Sequence, residues 1–112
     1  MTDLPSPPAA YLRFTERNPE IAQAWEQVAM AGKDGPLDPG TVRLVKLGVA
    51  IGAMREGSVH ASVRKALAQG IDPEVLDQVV AIAAGTIGFP AAVAVFTWIE
   101  DVLDGDAGDA AG

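Results

Sequence analysis

A chain of 112 residues is sized for one domain, and at that length only roughly two-thirds of the unfolded surface is buried on folding. Yet 49% of the residues are hydrophobic, an excess that predicts further burial against identical subunits, the alternative being a well-filled monomer core. The formal charge of -7, with no clustered stripe of Lys and Arg, argues against a nucleic-acid partner, and the lack of cysteine excludes thiol redox chemistry and thiolate metal ligands for the chain by itself.

Residues 1–8 are expected to be a flexible N-terminus, because Leu4-Pro5-Ser6-Pro7-Pro8 disfavours helix. They also lack the basic and apolar regions of a signal peptide, which places the protein in the cytoplasm as an expectation. Residues 9–104 read as a single all-helical domain. A first short helix holds Tyr11 and Phe14 and ends at Asn18-Pro19, where Asn18 is expected to cap a second helix whose first position suits Pro19. In that second helix Ile21, Trp25, Val28 and Ala29 follow helical spacing and make an apolar face.

Lys33-Asp34-Gly35-Pro36 reads as a loop, and Asp38-Pro39 repeats the cap-then-proline signal before a third helix expected to reach about Glu56. Leu44, Val45, Leu47, Val49, Ile51 and Met54 make this helix apolar on nearly every side, so burial all round is expected. Gly57-Ser58 is read as a break, with Ser58 as the N-cap of a fourth helix that turns Val59, Val63 and Leu67 inward and ends at Gly70. Asp72-Pro73-Glu74 starts a fifth helix.

From Gln78 to Ile99 there is no formal charge, a stretch long enough to cross a bilayer. Gly85-Thr86-Ile87-Gly88-Phe89-Pro90 interrupts it, so no membrane partner is expected and two buried helices joined by a tight corner are. The fifth helix should stop near Gly85 to Gly88 and the sixth run from Pro90 to about Leu103. Residues 105–112 read as a flexible acidic tail. Trp25, Trp98, Phe89 and Phe96 could line a pocket, but aromatic residues on apolar helical faces are usually core, and the core is where they are expected.

Ionisable groups gather next to the apolar segments between Arg55 and Lys65. If helical geometry persists through Gly57, then Glu56, His60 and Arg64 stack on one face at four-residue spacing, offering an acid, a base and an anion clamp. The same series also suits a surface ladder of ion pairs. One histidine and one carboxylate make an incomplete metal-ligand set, so no metal is expected. No nucleophile elbow, phosphate-cradling glycine loop or dinucleotide fingerprint occurs.

Three strings, Arg55-Glu56-Gly57-Ser58-Val59-His60, Val63-Arg64-Lys65-Ala66-Leu67-Ala68-Gln69-Gly70-Ile71-Asp72-Pro73-Glu74 and Thr86-Ile87-Gly88-Phe89-Pro90-Ala91-Ala92, together resemble the carboxymuconolactone decarboxylase family. Its wider superfamily includes the alkylhydroperoxidase D-like proteins. The resemblance covers about Leu37 to Leu103 and implies an alkylhydroperoxidase D-like bundle of about six helices, assembled as a homo-oligomer, commonly a trimer or hexamer.

The alkylhydroperoxidase branch carries Cys-x-x-Cys-x-x-x-His, and this chain has Arg55, Ser58 and Ser62 at the three key positions, with Arg43 where that branch has a glutamate. Thiol-dependent peroxidase chemistry is therefore excluded. The decarboxylase branch often carries Arg-Glu, as Arg55-Glu56 here, and a histidine where this chain has Ser62. Its founding reaction, a cofactorless loss of CO₂ from a carboxylated lactone, implies Arg55 as carboxylate anchor, His60 as proton donor or acceptor, and Glu56 as its partner, with Arg64 as a further substrate contact and no cofactor. The alternative is a catalytically silent helical oligomer serving as a binding or assembly module.

Overall fold

The computed structural model describes residues 9–105, and the two expected flexible segments, 1–8 and the tail from 106 onward, lie outside the described residues. Six helices follow one another: α1 (Ala9–Arg17), α2 (Pro19–Lys33), α3 (Pro39–Gly52), α4 (Glu56–Ala68), α5 (Pro73–Ile87) and α6 (Phe89–Leu103). The described residues contain no strand.

The core is built by α3 to α6 alone. Leu47 and Ile51 of α3, Val59, Val63 and Ala66 of α4, Leu76 and Val80 of α5, and Val95, Ile99 and Val102 of α6 are all buried. Their three- and four-residue spacing gives each helix one apolar stripe, and the four stripes meet in a common seam. α3 packs on α4 and α5, and α6 packs on α4 and α5. By contrast α2 buries nothing: Ile21, Trp25 and Val28 are each more than half exposed. The apolar face expected on this helix is present but uncovered within the single chain.

The helix ends follow backbone hydrogen-bond accounting. Pro19, Pro39 and Pro73 each sit in the first turn of a helix, where a missing N–H leaves no partner wanting. Asp38 caps α3 as expected, its Oδ1 accepting the Thr41 N–H at 2.7 Å, and that bond holds its carboxyl below the usual carboxylate range. Asn18 does not cap α2. Its side-chain amide instead donates to the Phe14 carbonyl at 3.0 Å, closing the end of α1.

α4 ends in a Schellman motif in which Gly70 N–H reaches the Leu67 carbonyl and Ile71 N–H the Ala66 carbonyl, with Gly70 at φ 85°. The end of α3 has the same hydrogen-bond pattern, Met54 N–H to Ile51 and Arg55 N–H to Ala50, but the left-handed residue is Met54, at φ 55°. The break therefore falls at Ala53 to Arg55, and Gly57 and Ser58 lie inside the first turn of α4. Arg55, not Ser58, occupies the N-cap position of α4.

Two further expectations are corrected. α3 is not buried all round, since Val45 and Val49 are more than half exposed on the side away from Leu47 and Ile51. Of the four aromatic residues expected in the core only Trp98 packs against it, while Trp25, Phe89 and Phe96 are exposed. Among the described residues no helix is long and apolar enough to cross a membrane.

Candidate functional site

Because the break falls before Glu56, the segment from Glu56 to Arg64 is continuous helix, the condition required for Glu56, His60 and Arg64 to share a flank. His60 Nε2 and Glu56 Oε2 stand 3.8 Å apart, beyond direct hydrogen-bond length but within ion-pair reach if the imidazole is protonated. Glu56 is half exposed, whereas the His60 side chain is only 18% exposed. His60 Nε2 is buried and has no hydrogen-bond partner.

An unpartnered buried ring nitrogen carries an unmet desolvation cost of about 1–3 kcal/mol, and it is a group that a bound substrate or water would satisfy. Arg55 precedes the pair as an exposed N-cap residue, and Arg64 is half-buried one turn beyond His60. Met54, the sole non-glycine residue at positive φ among the described residues, adjoins Arg55. Such backbone outliers tend to collect where function over-determines the geometry. Ser62, one turn before Ala66, is the buried polar residue of the core among the described residues.

A second constellation was not anticipated from sequence. A cleft of about 640 Å³ opens between the end of α2, the loop after it, α3 and the C-terminal half of α4. Lys33, Arg43, Lys46 and Lys65 line it, with Leu37 and Gln69 among the other walls, and no lining residue is acidic. Gln69 orients the guanidinium: its Oε1 accepts the Arg43 Nε–H at 3.1 Å, while its own amide reaches the Pro39 carbonyl at 3.4 Å.

Burial lowers the proton affinity of Arg43. Lys65 is lowered as well, by burial first and then by the charges of Arg43, Lys46, Lys33 and Arg64. The folded chain thus holds the Lys65 proton less tightly than the unfolded chain. That cost to stability is fully present below the depressed pKa and is relieved as pH rises through it toward the ordinary 10.5.

At about 3.6 residues per turn, Glu56, His60 and Arg64 lie on one flank of α4 and Lys65 and Gln69 on another, with the buried seam of Val59, Val63 and Ala66 between them. The structure therefore brings Glu56 and His60 together but places none of Arg55, Glu56, His60 and Arg64 in the cleft wall. The cleft's cations come from three consecutive helices, α2, α3 and α4, with no shared periodicity, and only the unusual charge of Arg43 at its position offered a hint. Among the described residues no three His, Asp or Glu side chains converge.

Searches of curated proteins and of solved structures give no match. The model of the family described as "Carboxymuconolactone decarboxylase family" matches residues 19–101, from the first residue of α2 nearly to the end of α6. The match takes in α2, which the resemblance from Leu37 onward left out, and it spans all four core helices. On that match, and with an all-helical fold to accompany it, the chain belongs to the carboxymuconolactone decarboxylase family.

Proposed function

We propose that this protein is a cofactor-independent lyase or isomerase of the cytoplasm, acting on a small carboxylated, lactone-like metabolite at the N-terminal turns of α4. The observation that carries the reading is the buried, unpartnered Nε2 of His60 beside the Glu56 carboxylate. Arg55 and Arg64 bracket the pair along the chain and supply forks for a substrate carboxylate. In a decarboxylation the carbon–carboxylate bond breaks, CO₂ leaves, and the electron pair moves into the conjugated lactone. A proton from the imidazolium then returns to carbon, and solvent reprotonates His60 with Glu56 stabilising the cation.

The test is CO₂ release from a carboxylated γ-lactone by the purified protein without added cofactor. Turnover is expected, and Arg55→Lys should raise KM by about tenfold, since an ammonium does not reproduce a two-pronged carboxylate contact. No CO₂ above background across carboxylated lactones of different ring substitution would sink the proposal.

A second reading, a non-catalytic binding or assembly module, is favoured by a different observation. Val45 and Val49 on α3, Phe89, Val93 and Phe96 on α6, and Trp25 and Val28 on α2 form apolar surface that the single chain leaves open. Both readings include a homo-oligomer, a trimer or hexamer, in which copies cover these faces. Light scattering in physiological salt should return a multiple of the 11.6 kDa chain mass. A monomer at micromolar concentration would remove the assembly from both readings.

A further inference from the structure

The lyase reading leaves the cleft of Lys33, Arg43, Lys46 and Lys65 without a use. Eight Lys and Arg residues occur in a chain of net charge -7, and four of them wall one concavity to which no acidic side chain contributes. Gathering like charges this way opposes folding, while fifteen Asp and Glu residues elsewhere in the sequence could have neutralised them. The arrangement is also pre-organised: Gln69 holds Arg43 through Nε, leaving the two terminal Nη groups as the fork that carboxylates and phosphates accept side by side.

The concavity has the size of a small-molecule site. Leu37 and neighbouring aliphatic side chains give it an apolar wall for a carbon skeleton.

We propose that this cleft is a second binding site, separate from the Glu56–His60 flank, for a small organic dianion in which two negative charges, on carboxylates or on a phosphate ester, are carried by an apolar body. Arg43 takes one anionic group in its fork, and Lys33, Lys46 and Lys65 surround the rest as point charges. The perturbed Lys65 is consistent with this use, because an anion in the cleft offsets the repulsion that disfavours its ammonium form.

The test is calorimetric titration of the full chain with phthalate and with phenyl phosphate, using benzoate as a control with the same ring and a single charge. One dianion per chain is expected, bound at least about tenfold more tightly than benzoate, because the extra charge gains a charge-assisted contact. Whichever dianion binds better identifies the anionic group. Arg43→Gln and Lys65→Gln should each weaken binding by about tenfold, whereas Arg17→Gln, which removes a charge outside the cleft lining, should not. Lys65→Gln without ligand should also melt above the parent.

Should Arg43→Gln fail to fold for want of its bond to Gln69, Lys46→Gln supplies the same loss of charge within the cleft. No dianion binding at millimolar concentration overturns the proposal. Equal weakening in Arg17→Gln does so too, since it would mean attraction to net charge rather than to a site.

Discussion

Gly88→Val should destabilise the fold by about 1–3 kcal/mol, lowering the melting temperature by on the order of 5–15 °C for a chain of this size. Gly88 is the only residue between α5 and α6, and both of its backbone groups are committed. Its N–H donates to the Ala84 carbonyl at 3.0 Å, closing α5, and its carbonyl accepts the Ala92 N–H at 3.0 Å, opening α6. To do both it adopts φ 92°, ψ 159°, a region essentially confined to glycine because any Cβ there crowds its own backbone.

Beyond its two chain neighbours, a Cβ at Gly88 would meet no described atom within 4 Å, so the cost is one of local backbone strain and not of packing. It follows that Gly88→Ala should incur much of the same loss, with the β-branched valine worse. Thermal unfolding by circular dichroism measures both. An unchanged melting temperature in Gly88→Val would show that Pro90 sets the corner unaided.

His60→Ala should reduce decarboxylation by about 10²-fold or more, the scale expected for a positioned general acid–base group, with helical content intact. The side chain lies on a flank of α4 and is not among the core residues, so its removal should leave the Val59, Val63 and Ala66 seam in place. Glu56→Gln should cause a smaller loss in kcat with little change in KM, because the glutamate supports the imidazolium and makes no proposed contact with the substrate carboxylate. Wild-type turnover by His60→Ala would return the Glu56–His60 pair to the role of a surface ion pair. A circular dichroism spectrum unlike the parent's would assign the activity loss to structure, and His60→Gln, which keeps size and polarity, then separates the two.

Most helix starts and stops were legible in the sequence because their chemistry is local. Proline in a first turn, the Asp38 cap and the glycine of a Schellman motif act through neighbours within a few residues, so Pro39, Pro73, Gly70 and Gly88 marked their boundaries directly. The boundary at Met54 is not legible in the sequence for the same reason. Its hydrogen bonds match those around Gly70, but a methionine occupies the left-handed position and carries no glycine signal, whereas Gly57, three residues on, carries one without ending the helix. Asn18 had two local partners available, and its choice of the Phe14 carbonyl over the α2 N-terminus depends on side-chain geometry that residue identity does not specify.

The sequence by itself determined that the chain is all-helical, where four of its helices begin within a residue or so, and that Glu56 and His60 share a face once helix runs through them. Each of these rests on spacing along a single element. Which faces are covered was decided only by tertiary structure, since burial depends on what packs opposite: Leu47 and Val49 are equally apolar residues two positions apart, one buried and one exposed. The cationic cleft likewise exists only after folding, because it needs the antiparallel return of α4 along α3 to set Lys65 and Gln69 beside Arg43, some two dozen residues earlier in the chain. Charge that looks scattered along an acidic sequence becomes concentrated when three elements converge, and no periodicity within any one of them records it.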